Sequence, residues 1–146
     1  MNILRFLIPK SHVACLDKDS TLRNGLEKMR NRGYTAMPVI DKNGIYVGTV
    51  TEGDFLWQLM RSEDCSSKSL EKLHVVDLIR DGWNPPVRAS ETVAEVFAKI
   101  KDQNFVPVVD DRGVFVGIVT RRAILEHCVI EESKSAPHPL QNFTAI

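Results

Sequence analysis

Pro38-Val39-Ile40-Asp41-Lys42-Asn43-Gly44-Ile45-Tyr46-Val47-Gly48-Thr49-Val50-Thr51 returns in the same order as Pro107-Val108-Val109-Asp110-Asp111-Arg112-Gly113-Val114-Phe115-Val116-Gly117-Ile118-Val119-Thr120, a constant shift of 69 residues (38 to 107, 51 to 120). A repeat of that length exceeds a solenoid unit and suits a small half-domain. In each copy two apolar runs flank a polar turn that ends in glycine, Asp41 to Gly44 and Asp110 to Gly113. This predicts two hairpins, Ala36–Ile40 with Ile45–Val50 and Phe105–Val109 with Val114–Val119. Two such halves carry complementary apolar faces, and ligands favour the clefts between packed halves.

Outward from the hairpins the repetition continues. Leu22, Leu26 and Met29 make a helical stripe that predicts a helix from Thr21 to about Arg32, capped by Asp19 or Ser20 and ended by Gly33. Val93, Phe97 and Ile100 repeat the stripe, with Ser90 as the cap. Thr51 and Thr120 stand where strand gives way to helix, a natural N-cap position. The helices that follow carry Phe55, Leu56, Leu59 and Met60, matched by Ile124, Leu125, Cys128 and Val129. Met1–Ile8 reads as a short amphipathic helix stopped by Pro9, and Val13–Leu16 as a short strand. Ser62–Ser69 reads as a linker and Leu70–Ile79 as a helix opening the second half. Trp83-Asn84-Pro85-Pro86 is expected to be extended, since residues before proline avoid the helical region. The tail from Ser133 is expected to be loose. The fold expected is α+β: two β-α-β-β-α repeats, 1–66 with its lead-in and 67–130, then a tail, 131–146. Neither repeat has core enough to stand alone.

Composition narrows the function. The 146 residues are 43% hydrophobic and 26% charged, with a formal net charge of zero. That balance gives no support to nucleic-acid or membrane attraction, and no stretch approaches the length of a membrane span. Met1–Pro9 is too short for a secretory signal, so the expected location is cytoplasmic. Cys15, Cys65 and Cys128 offer neither a disulfide framework nor a zinc motif, and His12, His74, His127 and His138 are scattered.

The order x-Pro-Val-h-Asp, glycine turn, Gly-h-h-Thr (h apolar) resembles the cystathionine-β-synthase (CBS) domain, and its recurrence resembles the tandem CBS pair, or Bateman module, over residues 8–129. Gly33-Tyr34-Thr35-Ala36-Met37-Pro38 and Thr120-Arg121-Arg122 also resemble small bacterial members that sense nucleotides, cyclic di-AMP among them. The resemblance implies a disc-like pair of pseudo-twofold-related repeats with two clefts, and a homodimer. It implies a regulatory ligand, not a catalytic cofactor: AMP, ADP, ATP, S-adenosylmethionine or cyclic di-AMP. No further domain accompanies the repeats in this sequence, so the expected output acts in trans on another, unidentified protein.

The family's ligand motif, Gly-h-h-Thr/Ser-x-x-Asp, is matched in full by Gly48 to Asp54. An ionised carboxylate only accepts hydrogen bonds, and a ribose offers two neighbouring donors. Asp54, in the first helical turn after Thr51, can take both, and Gly53 leaves room for a sugar. The alternative is that Glu52 and Asp54 only complement the positive helix start. The second copy departs from the motif: Ala123 replaces the carboxylate, and Arg121 and Arg122 stand in the first turn. Two cations there oppose the helix dipole, which fits phosphate ligands; the alternative is a solvated pair or one bridged to a partner's acids. The resemblance assigns the base to Gly33–Pro38 and to the strand start near Val13 and Ala14, with Tyr34 or Met37 against a flat ring. Ordinary packing is the competing reading for each. Phe105 and Val106 are the second-half equivalents. Trp57 suits an interface, and Trp83 suits either a lid or a packing anchor.

Three functions are carried forward. The first is a non-enzymatic adenine-nucleotide sensor, including a cyclic di-AMP receptor. The second is a ligand-free dimerisation or interaction module, which Ala123 favours. The third is an enzyme, for which the sequence offers no nucleophile–base pair, paired carboxylates or GxxxxGK phosphate loop.

Overall fold

The structure, a computed structural model, describes residues 1–61 and 67–135. Two sheets form. Strands β2 (Leu16–Asp17), β3 (Ala36–Ile40) and β4 (Tyr46–Thr51) make the first, in that order. β1 (Ile8–Pro9), β5 (Val87–Arg88), β6 (Phe105–Val109) and β7 (Phe115–Thr120) make the second, ordered β1-β7-β6-β5. Each repeat contributes an antiparallel hairpin, β3 with β4 and β6 with β7, flanked by a short parallel strand. Helices α1 (Leu22–Arg32) and α2 (Glu52–Arg61) serve the first repeat; α4 (Val93–Ile100) and α5 (Arg121–Ser135) serve the second, and α3 (Ser67–Lys72) joins them.

The caps differ from the expected residues. Thr21 caps α1, its Oγ1 accepting from Asn24 N–H at 3.2 Å. Asp19 and Ser20 instead turn back onto Asp17. Thr92, not Ser90, caps α4, and Glu95 completes a capping box by accepting from Thr92 N–H at 2.6 Å. Those bonds from Thr92 hold the Glu95 carboxyl below its ordinary range. Gly33 ends α1 as expected, at φ 68°, a conformation that favours glycine.

Two apolar cores result. Leu22, Met29, Met37, Val39, Val50 and Phe55 anchor the first; Val96, Ile100, Val106, Val108, Val119 and Ile124 anchor the second. Each such burial contributes about 1.5–3 kcal/mol. Val96 takes the place expected of Phe97, which is exposed.

The lead-in segments cross over. Met1–Ile8 is no helix: it forms a single 3-10 turn, Ile3–Phe6, and then β1. β1 pairs with β7 of the second repeat, and Ile3 is buried in the second core. Leu70–Ile79 is likewise not one helix. α3 already begins at Ser67, inside the expected linker, and a 3-10 turn follows at Val75–Leu78. Val75 and Leu78 enter the first core. The chain breaks at Leu73 and His74 because the first repeat takes their backbone: Leu22 N–H donates to Leu73 O, and Thr21 bridges His74. The same pair of contacts joins Val93 to Met1 and Thr92 to Asn2. Each lead-in therefore completes the other repeat.

Glycine at the motif's first position follows from this crossing. A Cβ at Gly48 would lie 2.5 Å from Ile79 Cγ2, and one at Gly117 would overlap the carbonyl oxygen of Ile8. Asn84, expected to be extended before Pro85, has a left-handed φ of 52°. Its buried amide donates to Thr49 Oγ1 at 3.1 Å and its carbonyl accepts from Tyr46 O–H at 2.8 Å, which holds it there. The expected tail is helical as far as Ser135, and residues 62–66 and 136–146 of the expected linker and tail lie outside the described residues. Among the described residues no helix is long and apolar enough to cross a membrane.

Candidate functional site

At the end of β4 the chain turns straight into α2. Glu52 N–H donates to Thr35 O at 3.0 Å, and Arg121 N–H makes the equivalent bond to Asn104 O at 2.9 Å in the second repeat. Thr51 Oγ1 accepts from Asp54 N–H at 3.2 Å; Thr120 Oγ1 accepts from Ala123 N–H at the same distance. The two motifs thus make the same turn from strand to helix, but Ala123 stands where Asp54 supplies a carboxylate. Asp54 Oδ2 accepts from Thr51 N–H (2.8 Å) and Thr51 O–H (3.0 Å). Its Oδ1 lies 3.0 Å from Arg80 Nε, and the side chain is only 9% exposed.

Several cavities meet these residues, and three of them reach Asp54, Thr51 or Thr120. Asp54, Thr51, Gly53, Trp57, Gln58 and Arg61 line one of about 350 Å3, closed by Asp77, Leu78 and Arg80 of the crossing segment. A second, of about 280 Å3, lies between Thr35, Ala36, Thr51 and Glu52 of the first repeat and Asn104 and Phe105 of the second, with Trp83 and Asn84 at its side. A third, of about 290 Å3, is the most apolar of the three: Val13, Ala14, Tyr34, Ala36 and Pro38 face Ile8, Phe105, Ile118 and Thr120. The second and third share Ala36, Asn104 and Phe105; the first and second share Thr51.

The residues singled out in the sequence therefore fall in two groups. Val13, Tyr34, Ala36, Pro38 and Thr120 line the apolar cavity between repeats, with Thr35 beside it. Asp54 stands in the neighbouring cavity, with Thr51 at the join. Gly33 lies at a more open hollow of about 410 Å3 with Tyr34, Thr35 and Glu52. Met37, expected against the base, is instead fully buried in the first core and lines none of these cavities. Arg121 bonds the Asn104 side chain and the Lys101 carbonyl, which puts it one hydrogen bond behind the cavity wall. Arg122 pairs with Glu126 of its own helix at 2.9 Å.

Arg80, Arg61, Asn104 and His12 line these cavities without having been flagged by the sequence. Arg80 is the closest cation to Asp54 among the ion pairs of the described residues, and its guanidinium carbon sits 4.0 Å from the Trp83 ring centre. It follows Ile79, the counterpart of Leu7, so the crossing register locates it once that register is known.

Comparison with known proteins agrees with this architecture. A crystal structure of CbpB in complex with c-di-AMP superposes with a TM-score of 0.82 at 23% identity, covering 93% of this chain and 91% of that one. CBSX2 in complex with AMP superposes with a TM-score of 0.73 at 22% identity, covering 90% and 98%. Both are likenesses of fold. Cyclic di-AMP receptor B of Bacillus subtilis (strain 168) is 25% identical over 122 residues, 84% of this chain and 82% of that protein. The CBS domain profile matches twice, at residues 7–61 and 76–130, once for each repeat. The chain belongs to the CBS-domain family, as a tandem pair.

Proposed function

We propose that the chain is a non-enzymatic regulatory sensor that binds an adenine nucleotide between its repeats and acts in trans on another protein. One observation carries this reading: Asp54 holds a nearly buried carboxylate at the head of α2, beside a cavity that Thr51 joins to the second cavity between the repeats. A carboxylate there accepts both hydroxyls of a ribose, and the Tyr34–Pro38 wall suits a flat base. Relatives named for nucleotides, c-di-AMP and AMP, support the ligand class. Signalling requires that the ligand bind one conformation better than another.

The test is a thermal-shift and calorimetric panel of AMP, ADP, ATP, S-adenosylmethionine and cyclic di-AMP on the full chain. A specific ligand at 100 times its Kd adds about 2.7 kcal/mol of stability. If none shifts the melt, the ligand-free interaction module replaces this reading.

A second reading, a cyclic di-AMP receptor, is favoured by one feature. The second and third cavities, about 280 and 290 Å3, adjoin across Ala36, Asn104 and Phe105 and give two base-sized hollows side by side. Tighter binding of cyclic di-AMP than of AMP, at one ligand per chain, supports it; the reverse order removes it.

The assembly that fits is a homodimer. α2 exposes Leu56, Trp57 and Met60, and α5 exposes Leu125, Val129 and Ile130. Equivalent apolar positions on two related helices suit an isologous contact with a second copy.

A further inference from the structure

Asp54 has no oxygen left to solvent alone. Oδ2 accepts twice from Thr51, and Oδ1 is held by Arg80. Arg80 is half exposed, while Asp54 is 9% exposed, so the pair is a cation drawn down onto a desolvated anion. A ribose diol must take Oδ1 from that guanidinium.

Building on the adenine-nucleotide reading, we infer that Arg80 sets specificity in the Asp54 cavity. Paired with Asp54 it excludes unphosphorylated nucleosides, and it releases the carboxylate to ligands whose phosphate becomes its new partner. The physical basis is an exchange of partners. Parting the two leaves a poorly hydrated carboxylate without its counter-charge, which is costly. A neutral nucleoside returns hydrogen bonds to Asp54 and gives Arg80 nothing. A nucleotide returns both: its diol goes to Asp54, and its phosphate oxygens meet the fork of the guanidinium. Arg61 lines the same cavity and adds positive charge, while Asp77 lines it and offsets part of that charge.

The surroundings confine the movement to side chains. Arg80 lies 4.0 Å over the Trp83 ring, a surface it can slide along without losing the cation–π contact. Next to Trp83 the backbone is pinned, since Asn84 is buried and bonded to Thr49 and Tyr46. Trp83 therefore reports the exchange.

The experiment is calorimetry with adenosine and AMP on the full chain and on Arg80→Met, with melting curves to confirm the fold. In the native protein AMP binds tighter than adenosine. In Arg80→Met adenosine tightens about fivefold and AMP weakens about tenfold, so the preference collapses. Equal changes for both ligands, or none, overturn the role of Arg80 and leave nucleotide binding standing. Absence of all adenine-ligand binding in the native protein overturns the functional reading, and this inference with it. A second measurement does not depend on the folding of Arg80→Met. In Trp57→Phe, which leaves Trp83 as the sole tryptophan, saturating AMP shifts the emission. Unchanged emission at saturating AMP overturns the exchange.

Discussion

Ile45 and Val114, equivalent positions of the two repeats, pair with each other. Their neighbours exchange backbone hydrogen bonds: Tyr46 N–H donates to Gly113 O at 3.1 Å, and Phe115 N–H donates to Gly44 O at 2.9 Å. The rings of Tyr46 and Phe115, also equivalents, stack with centroids 6.3 Å apart. Residues that pair with their own counterparts flank the axis relating the two. The pseudo-twofold axis therefore runs between the two hairpin turns, and the lead-in crossings and cap bonds come in pairs around it.

Adding one methyl at the crossings separates backbone from side-chain contact. Gly48→Ala meets the branched side chain of Ile79, at its Cγ2 methyl, and is expected to cost about 1–3 kcal/mol. Gly117→Ala meets the backbone carbonyl of Ile8. It is expected to cost more and to release β1 from β7. Urea denaturation ranks the two, and amide exchange at Ile118, whose partner in β1 is Ile8, reads the release.

Asp54 has a structural role and a binding role, and two substitutions divide them. Asp54→Ala loses the bonds from Thr51 at the start of α2 and is expected to lower stability by about 0.5–2 kcal/mol. It also weakens ribose-bearing ligands by about 1–3 kcal/mol. Asp54→Asn keeps an acceptor for Thr51 but not a second for a diol, so it melts near the native temperature and still binds weakly. Native-like calorimetry in both variants would remove Asp54 from the site.

Burial pushes the Tyr46 phenol up to about 12, against the opposing hydrogen bond with Thr49. The neutral form is thus favoured in the fold. Its contribution is complete below the unfolded value near 10 and is lost as pH rises from there through about 12. Alkaline melting is expected to steepen in that window and to flatten in Tyr46→Phe. A phenolate absorbance step near 12 that persists in Tyr46→Phe would contradict the assignment.

Met60 and Val129 occupy equivalent, exposed places on α2 and α5. Met60→Lys combined with Val129→Lys is expected to halve the mass seen in sedimentation while leaving monomer folding intact, because neither side chain is in a core. A native chain that sediments as a monomer at micromolar concentration would end the homodimer reading.

The hairpins were legible because strand, turn and strand are contiguous and stated twice: β3 and β6 match their expected bounds. Caps were legible only in type. Thr21 and Thr92 prevailed over the neighbouring Ser20 and Ser90 because each threonine, not the serine, directly precedes the first helical turn, where Glu95 completes the box for Thr92. The lead-ins were not legible at all. A two-residue strand and single 3-10 turns carry no periodicity, and their partners lie in the other repeat. The site followed the same rule. Thr51 stood out because it recurs as Thr120, and Asp54 because it completes the ligand motif, whereas Arg80 lies in a lead-in where Ile8 fills the matching place and no motif recurs.

The reciprocal lead-ins also bear on how such a molecule holds together when dilute. A solitary copy could fill the notch above its glycine only by borrowing an arm from a second molecule, an arrangement that weakens as concentration falls. Tethered in one polypeptide, the trade happens at a fixed local concentration, and no amount of dilution undoes it.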